Sequence, residues 1–544
     1  MTATLTRGAH AAAPANELAG TWHLIRLALR RDRVILPIWI VLLSSLPAST
    51  VSAYDQYYPT AAAKAALSAG AAANPSFAVL YGPAFDLTTA GGFTAWRLAG
   101  FAALLIGLMA VFTVTRHTRA EEDTGRAELL GSGVVGRYAA LTAAVTVSGG
   151  ASVLIGLVQA ATMSATLPQS GAWVLGASIA LAGLVFTAVA AVAVQLAEYS
   201  RSANGIGTAV VGVAFLLRAA GDSTVDVRWL SWLSPIGWVQ QARPFAGDRW
   251  WVLLLPVAAA LVIGAIGYFL LPRRDIGVGF IPPRPGPAEA VPSLRTPFAL
   301  AWRLHRGPLF GWTIGIAVCG AVFGSIASGV GGLVGSSPQM LEAVERLGGT
   351  KGLTQAFLAA MAGIFTMVAS LYGIQAALRL RSEETAFRLE PLLGTSVGRL
   401  RLAASHLVFA FLGTAVLLLV GGVLLGLANG LRAGDVGGNI ADMVAGMLVQ
   451  LPAAWVIIAL AVTIFGLLPK YSAAAWAVAS LALLISMFGP IVSAPQAVLD
   501  VSPYQHPPKL PGQEFTATPL VWLMVIAVVA LGAGLFGWRR RDVG

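Results

Sequence analysis

Charge is scarce in this chain. Of 544 residues, 11% are charged and 57% hydrophobic, whereas a soluble domain carries roughly 25% charge, so water is not its main solvent. Cysteine is scarcer still. The lone Cys319 lies in an apolar stretch, which excludes an intramolecular disulfide framework. The six histidines, His10, His23, His117, His305, His406 and His506, are scattered without the spacing of metal ligands, which predicts no metal site. No Gly-x-x-x-x-Gly-Lys-Ser/Thr occurs, so the chain has no phosphate cradle of its own.

Carboxylates are missing where a membrane would make them costly. All 24 acidic residues fall outside the long apolar stretches, or at their edges in the cases of Glu198 and Asp442. A carrier driven by protons or sodium usually needs a buried carboxylate to hold its coupling ion. Any uphill work is therefore expected to draw its energy from outside the bilayer.

What is present is a series of uncharged runs, each of about 20 residues and long enough to cross a hydrocarbon core of about 30 Å. Twelve spans are expected, at Val34–Tyr54, Leu98–Thr115, Tyr138–Met163, Gly171–Leu196, Ala203–Leu217, Trp251–Leu271, Leu309–Gly329, Phe357–Leu378, Leu402–Ala428, Met443–Leu468, Ser472–Ile491 and Pro519–Trp538. The formal charge of +11 is not the footprint of nucleic acid, because the basic residues sit between spans rather than on one face. With the N-terminus inside, 25 of the 35 lysines and arginines lie in inner segments and 10 in outer ones. The positive-inside rule then places both termini in the cytoplasm of a multi-pass cell-membrane protein.

The chain is written twice. Leu27, Ala28, Arg30, Arg33 and Trp39 recur as Leu300, Ala301, Arg303, Arg306 and Trp312, and Pro75 recurs as Pro338. Arg119, Glu121, Glu122, Arg126, Glu128, Gly136 and Arg137 recur as Arg381, Glu383, Glu384, Arg388, Glu390, Gly398 and Arg399. Ser234-Pro235 matches Ser502-Pro503, and Arg273-Arg274-Asp275 matches Arg540-Arg541-Asp542. Six spans per repeat is an even number, so the halves are expected to point the same way. The boundaries read as 1–33 for the N-terminus and an interfacial helix, 34–274 for the first half, 275–297 for a proline-rich cytoplasmic linker, and 298–544 for the second interfacial helix and half. Arg30-Arg31 before an apolar run ending Val51-Ser52-Ala53 also resembles a secretory signal; its counterpart deep inside the chain argues that it is retained.

The two largest charge clusters, Arg119 to Leu130 and Arg381 to Leu392, are the candidates for contact with a partner. As continuous helices they would pair Glu122 with Arg126 and Glu384 with Arg388 at i, i+4, which contributes only about 0.3 kcal/mol each. A solvated helix is the plain reading of any one charged loop. Two copies at matched positions point instead to equivalent contacts on a two-fold partner. Between the fifth and sixth spans, Trp229, Trp232, Trp238, Trp250 and Trp251 flank Ser234-Pro235; they read either as headgroup anchors or as an aromatic outer gate. Leu24, Ile25, Leu27, Ala28 and Leu29 interleaved with Arg26, Arg30 and Arg31 form a basic amphipathic helix, which reads either as an anchor at the inner interface or as an elbow.

The paired Arg-x-Glu-Glu-x-x-x-Arg-x-Glu clusters, Leu233-Ser234-Pro235-Ile236-Gly237-Trp238 and the closing Arg-Arg-Asp resemble the permease of actinobacterial ABC exporters of the polyketide-antibiotic, tetronasin-transport kind. The resemblance covers nearly the whole chain. It implies an all-α polytopic protein of twelve transmembrane helices, two parallel six-helix repeats of the type-two ABC exporter fold. It also implies a separate ABC ATPase, two copies per chain, carrying ATP and Mg, and extrusion of hydrophobic small molecules. On that reading the clusters (Arg119, Glu121, Glu122, Arg126, Glu128, Arg381, Glu383, Glu384, Arg388, Glu390) couple to the ATPase. Trp229, Trp232, Ser234, Pro235, Trp238, Ser502 and Pro503 are outer-gate candidates, and Arg26, Arg30, Arg33, Arg303 and Arg306 belong to the elbows. The second half departs from the pattern, because Val501-Ser502-Pro503-Tyr504-Gln505-His506 lacks Gly-Trp. The rival classes are a twelve-span proton-coupled carrier, weakened by the absent membrane carboxylate, and a polytopic lipid-modifying enzyme, weakened by the absence of a clustered acid pair or His/Asp group.

Overall fold

A computed structural model describes residues 16–73, 75–224, 226–282, 286, 288, 289, 291–327, 353–489 and 495–542. It is all-helical: the described residues hold no strand, only an isolated bridge between Ala197 and Ile281. Eleven of the described helices are long and apolar enough to cross a membrane, so the chain is a polytopic membrane protein. It divides into two compact units, Met1–Pro285 and Gly286–Gly544.

In the first unit, α1 (Thr21–Arg31) precedes α2 (Ile35–Tyr57), α3 (Ala61–Ala73), α4 (Pro75–Tyr81) and α5 (Ala90–Arg116). The short α6 (Arg119–Asp123) and α7 (Arg126–Gly131) lead to α8 (Ala139–Ser164), α9 (Gln169–Leu196), α10 (Ser200–Gly221), α11 (Pro235–Gln241) and α12 (Leu254–Leu270). The core is built by α5, α8 and α9, with Ile106, Met109, Ile155 and Phe186 fully buried. Small residues set the helix spacing. A Cβ on Gly156 would lie 2.3 Å from the Gly176 carbonyl oxygen, and one on Gly176 2.3 Å from that of Gly156, the close backbone approach by which lipid-embedded helices pack.

The second unit runs α13 (Pro297–Ala327), α14 (Leu353–Ala377), α15 (Arg379–Thr385), α16 (Leu389–Leu393), α17 (Arg399–Ala433), α18 (Val436–Leu448), α19 (Leu451–Leu467), α20 (Ala474–Phe488), α21 (Gln496–Leu499) and α22 (Thr518–Arg540). Here α19 and α22 meet at Gly466, whose Cβ would fall 2.0 Å from the Gly534 oxygen.

Three expectations change. The eleventh run, read as Ser472–Ile491, is the 15-residue α20; at 1.5 Å per residue it spans about 22 Å, short of a bilayer core of about 30 Å. The second elbow is not a separate helix, since α13 carries Arg303 and Arg306 straight into the span through Pro308, whereas α1 and α2 are split at Asp32–Val34. The second span begins at Ala90 rather than Leu98, because the Thr89 hydroxyl caps the helix by accepting from Gly92 N at 3.1 Å. Gly329, Pro338 and Ile491 lie outside the described residues.

Candidate functional site

The repeated charge clusters fold as broken helices in both units. Gly125 separates α6 from α7 with φ at +70°, and Phe387, at the matched position, separates α15 from α16 with φ at +56°. The break overturns the expected i, i+4 pairs. Glu122 instead binds backwards to Arg119 at 2.8 Å and across to Arg274 at 2.7 Å, and Glu384 binds Arg381 at 3.0 Å and Arg541 at 2.9 Å. Arg126 and Arg388 turn to the neighbouring glutamates, Glu121 at 3.6 Å and Glu383.

Each cluster is thus bolted to the closing Arg-Arg-Asp of its own half. In the first unit, Arg274 also donates to Gln195 Oε1 at 2.6 Å, and Arg119, fully buried, donates to the carbonyls of Val194 and Val278 at 2.6 and 2.8 Å. The segment after α12 then runs back beneath α9, where Ile281 N donates to Leu196 O at 2.8 Å. In the second unit Arg399 Nη1 donates to Arg541 O at 2.6 Å, and Trp538 Nε1 to Arg399 O at 3.2 Å. Burial sorts the cluster. Arg119, Glu383 and Glu384 are buried and Glu122 part-buried, whereas Arg126, Glu128, Phe387, Arg388 and Glu390 are exposed.

The elbow helix α1 presents Leu24, Leu27, Ala28 and Arg31 on one face, and leaves Trp22, Arg26, Leu29, Arg30 and Arg33 exposed. Arg31 pairs with Glu121, and this hydrogen bond holds its guanidinium above the ordinary value. Asp32, buried, takes His117 at 2.6 Å and Arg116 at 3.0 Å. Sequence reasoning passed over these groups. At the repeat position of Asp32 the second unit has His305, whose Nε2 lies 3.0 Å from His406 Nδ1 in the interior. The pair was hidden because its members are 101 residues apart. Among the described residues no group of three or more His, Cys, Asp or Glu side chains is arranged to hold a metal.

Each Ser-Pro motif makes the same kind of contact within its own unit. Ser234 donates to Ala214 O at 2.6 Å and Ser502 to Ala482 O at 3.0 Å, each reaching a carbonyl 20 residues earlier. Ser234 also caps α11, accepting from Ile236 N and Gly237 N at 3.2 Å. Gly237 is needed there, because a Cβ would sit 2.0 Å from Ser231 O. Where Gln505 replaces it, only a single turn, Pro503–Gln505, forms, and Gln505 donates to Ser486 O at 3.1 Å. Trp238 donates to Trp232 O at 2.6 Å, Trp232 stacks on Trp251 at 5.8 Å, and Trp229, Trp250 and Trp251 are exposed. Behind Ser234, Arg218 is fully buried inside α10 rather than beyond the span, donating to Leu80 O at 3.1 Å, with Asp222 3.8 Å away.

Residues 294–539 match the model of the C-terminal domain of multidrug efflux system permease Rv1217c. The chain is also 44% identical, over 527 residues, to the multidrug efflux system permease protein Rv1217c of Mycobacterium tuberculosis, covering 96% of this chain and 95% of that one. With a likeness that spans both units, the chain belongs to the family of multidrug efflux system permeases represented by Rv1217c.

Proposed function

We propose that the chain is the membrane-spanning permease subunit of an ATP-driven exporter of hydrophobic small molecules, of the type-two, tetronasin-transport kind. Twelve spans, counting the short α20, form two parallel six-helix repeats with both termini cytoplasmic. ATP and Mg are held by a separate ABC ATPase, two copies per chain, and the substrate enters from the cytoplasm or inner leaflet. One observation carries the reading: each half pins a glutamate, the part-buried Glu122 or the buried Glu384, to an arginine at its own C-terminal end, while the same broken helix turns Arg126, Glu128, Arg388 and Glu390 outward. An element fixed to the bundle on one face and charged on the other passes force from a partner into the helices.

Inside-out vesicles test the energy source. With ATP held constant and the proton gradient collapsed, uptake of substrate is expected to continue, and its loss would establish the proton-coupled carrier instead. Orientation is tested in a Cys319→Ser background with cysteines at Ala65 and Ala127. An impermeant thiol reagent added to sealed cells is expected to label the first and spare the second.

A further inference from the structure

We propose that the first unit seats the phosphate headgroup and the start of one acyl chain of an anionic phospholipid in a cavity under α1, so that membrane composition acts on the charged cluster. The cavity has a volume of about 400 Å³. Its apolar walls come from Leu24 and Leu27 of α1, Leu141 of α8 and Leu271 at the end of α12, and Arg31 and Arg137 stand on its lining. Of the other titratable groups of the lining, Glu122 and Arg274 hold one another, Glu121 accepts from Arg31, His117 holds Asp32, and the exposed Asp275 adds one further carboxylate.

The two arginines are not saturated. Arg31 uses one terminal nitrogen on Glu121, and Arg137 uses one on the carbonyl of Pro272, so each guanidinium keeps donors from the five it carries. Two such forks beside an apolar chamber match a phosphate diester with an acyl chain attached, since guanidinium meets phosphate oxygens in a planar, bidentate way. On the orientation proposed above, on which this inference rests, the chamber lies at the arginine-rich end of the first unit, where the inner leaflet supplies acidic headgroups. The roof is the amphipathic helix itself. A bound lipid therefore touches α1 through Leu24 and Leu27, and meets Glu121 of the broken helix through Arg31.

Purified full-length chain, delipidated in mild detergent and titrated with phosphatidylglycerol or phosphatidylcholine, tests this by native mass spectrometry. One phosphatidylglycerol is expected to stay bound at voltages that strip phosphatidylcholine. Arg137→Gln, which loses only a carbonyl contact, is expected to weaken retention about fivefold, the worth of one basic residue near an acidic headgroup. Ala140→Phe, which puts a ring into the chamber, is expected to abolish the adduct, while Arg273→Gln, outside it, leaves the adduct in place. Equal retention of both lipids, or an adduct that survives Arg137→Gln and Ala140→Phe unchanged, overturns the proposal. So does full competition by inorganic phosphate, which would reduce the site to an anion pocket. Displacement by a lipophilic amine with no preference for phosphatidylglycerol also overturns it, in favour of a cation site.

Discussion

Glu122 and Arg274 meet at 2.7 Å across 152 residues of sequence, and Glu384 and Arg541 repeat the contact at 2.9 Å across 157. Glu384 is buried, to 3% exposure of its side chain, and Glu122 is part-buried at 12%. Their ion pairs hold the loop after the second span of each half to the end of the last helix of that half. Each carboxylate serves two arginines, Glu122 holding Arg119 as well and Glu384 holding Arg381.

Removing such a carboxylate strands its arginines. Glu384→Ala leaves Arg381 and Arg541 without their acid and is expected to destabilise the folded chain by about 3 kcal/mol, the cost of breaking a buried pair from one side. Glu122→Ala is expected to act in the same direction. Glu128→Ala and Glu390→Ala, on the exposed face, are expected to stay within about 0.5 kcal/mol. Thermal unfolding of the purified chain in detergent separates the two classes, and equal melting temperatures for all four variants would show that the ion pairs hold nothing.

The apolar runs were legible because burial in lipid demands about 20 uncharged residues, a signal that needs no knowledge of packing. So was the duplication of the clusters and of the closing Arg-Arg-Asp, though not that the two motifs bind one another, because nothing local in Arg274 or Arg541 names a partner more than 150 residues away. The broken helix was half visible. Gly125 is a residue that favours a left-handed turn, but Phe387 at the matched site gives no such cue. Helical continuity, assumed for both, paired Glu122 with Arg126 where the backbone does not allow it. The Ser-Pro repeat showed which residues recur, but the carbonyl each hydroxyl reaches depends on how the chain re-enters the bundle.

The outer end offers a test of that re-entry. Ser234→Ala loses both the donor to Ala214 O and the cap of α11, and is expected to cost about 2 kcal/mol, a cap plus a hydrogen bond. Ser502→Ala loses the donor to Ala482 O and the Ser486 contact, with no backbone cap, and is expected to cost about half as much. A larger loss from Ser502 than from Ser234, read from melting curves, would refute the cap argument.

Asp222 makes stability depend on pH. It follows α10, and burial lifts its carboxyl to about 6 against the partial opposition of Ser231, Arg218 and Arg228. A folded-state value raised above the unfolded one stabilises while the group is protonated. The contribution is therefore full below the unfolded value, near 3.8, and is lost as pH rises through about 6. Asp222→Asn keeps an oxygen for the Ser231 hydroxyl, which donates at 2.7 Å, and removes the titration. The melting temperature of the wild type is expected to fall from pH 4.5 to pH 7.5 relative to that of Asp222→Asn, and parallel profiles would rule out Asp222 as the source.

The final prediction turns on Phe387, which holds a backbone conformation that its matched residue, Gly125, adopts freely. A non-glycine residue at φ of +56° costs about 1–2 kcal/mol in sterics, and replacing it with glycine returns roughly 0.5–1 kcal/mol of that as added entropy in the unfolded chain. Phe387→Gly is thus expected to stabilise the isolated permease by up to about 1.5 kcal/mol. Phe387 is 67% exposed, so within the chain its side chain buries little that would offset the strain. A large apolar side chain kept at a strained, exposed turn beside Arg388 and Glu390 fits the surface proposed to meet a separate ATPase. The same variant is accordingly expected to lower affinity for the ATPase while raising the melting temperature of the permease alone. Co-purification and thermal unfolding of one variant read both effects. A Phe387→Gly permease that retains its ATPase in full while melting higher would mean that the ring serves no partner.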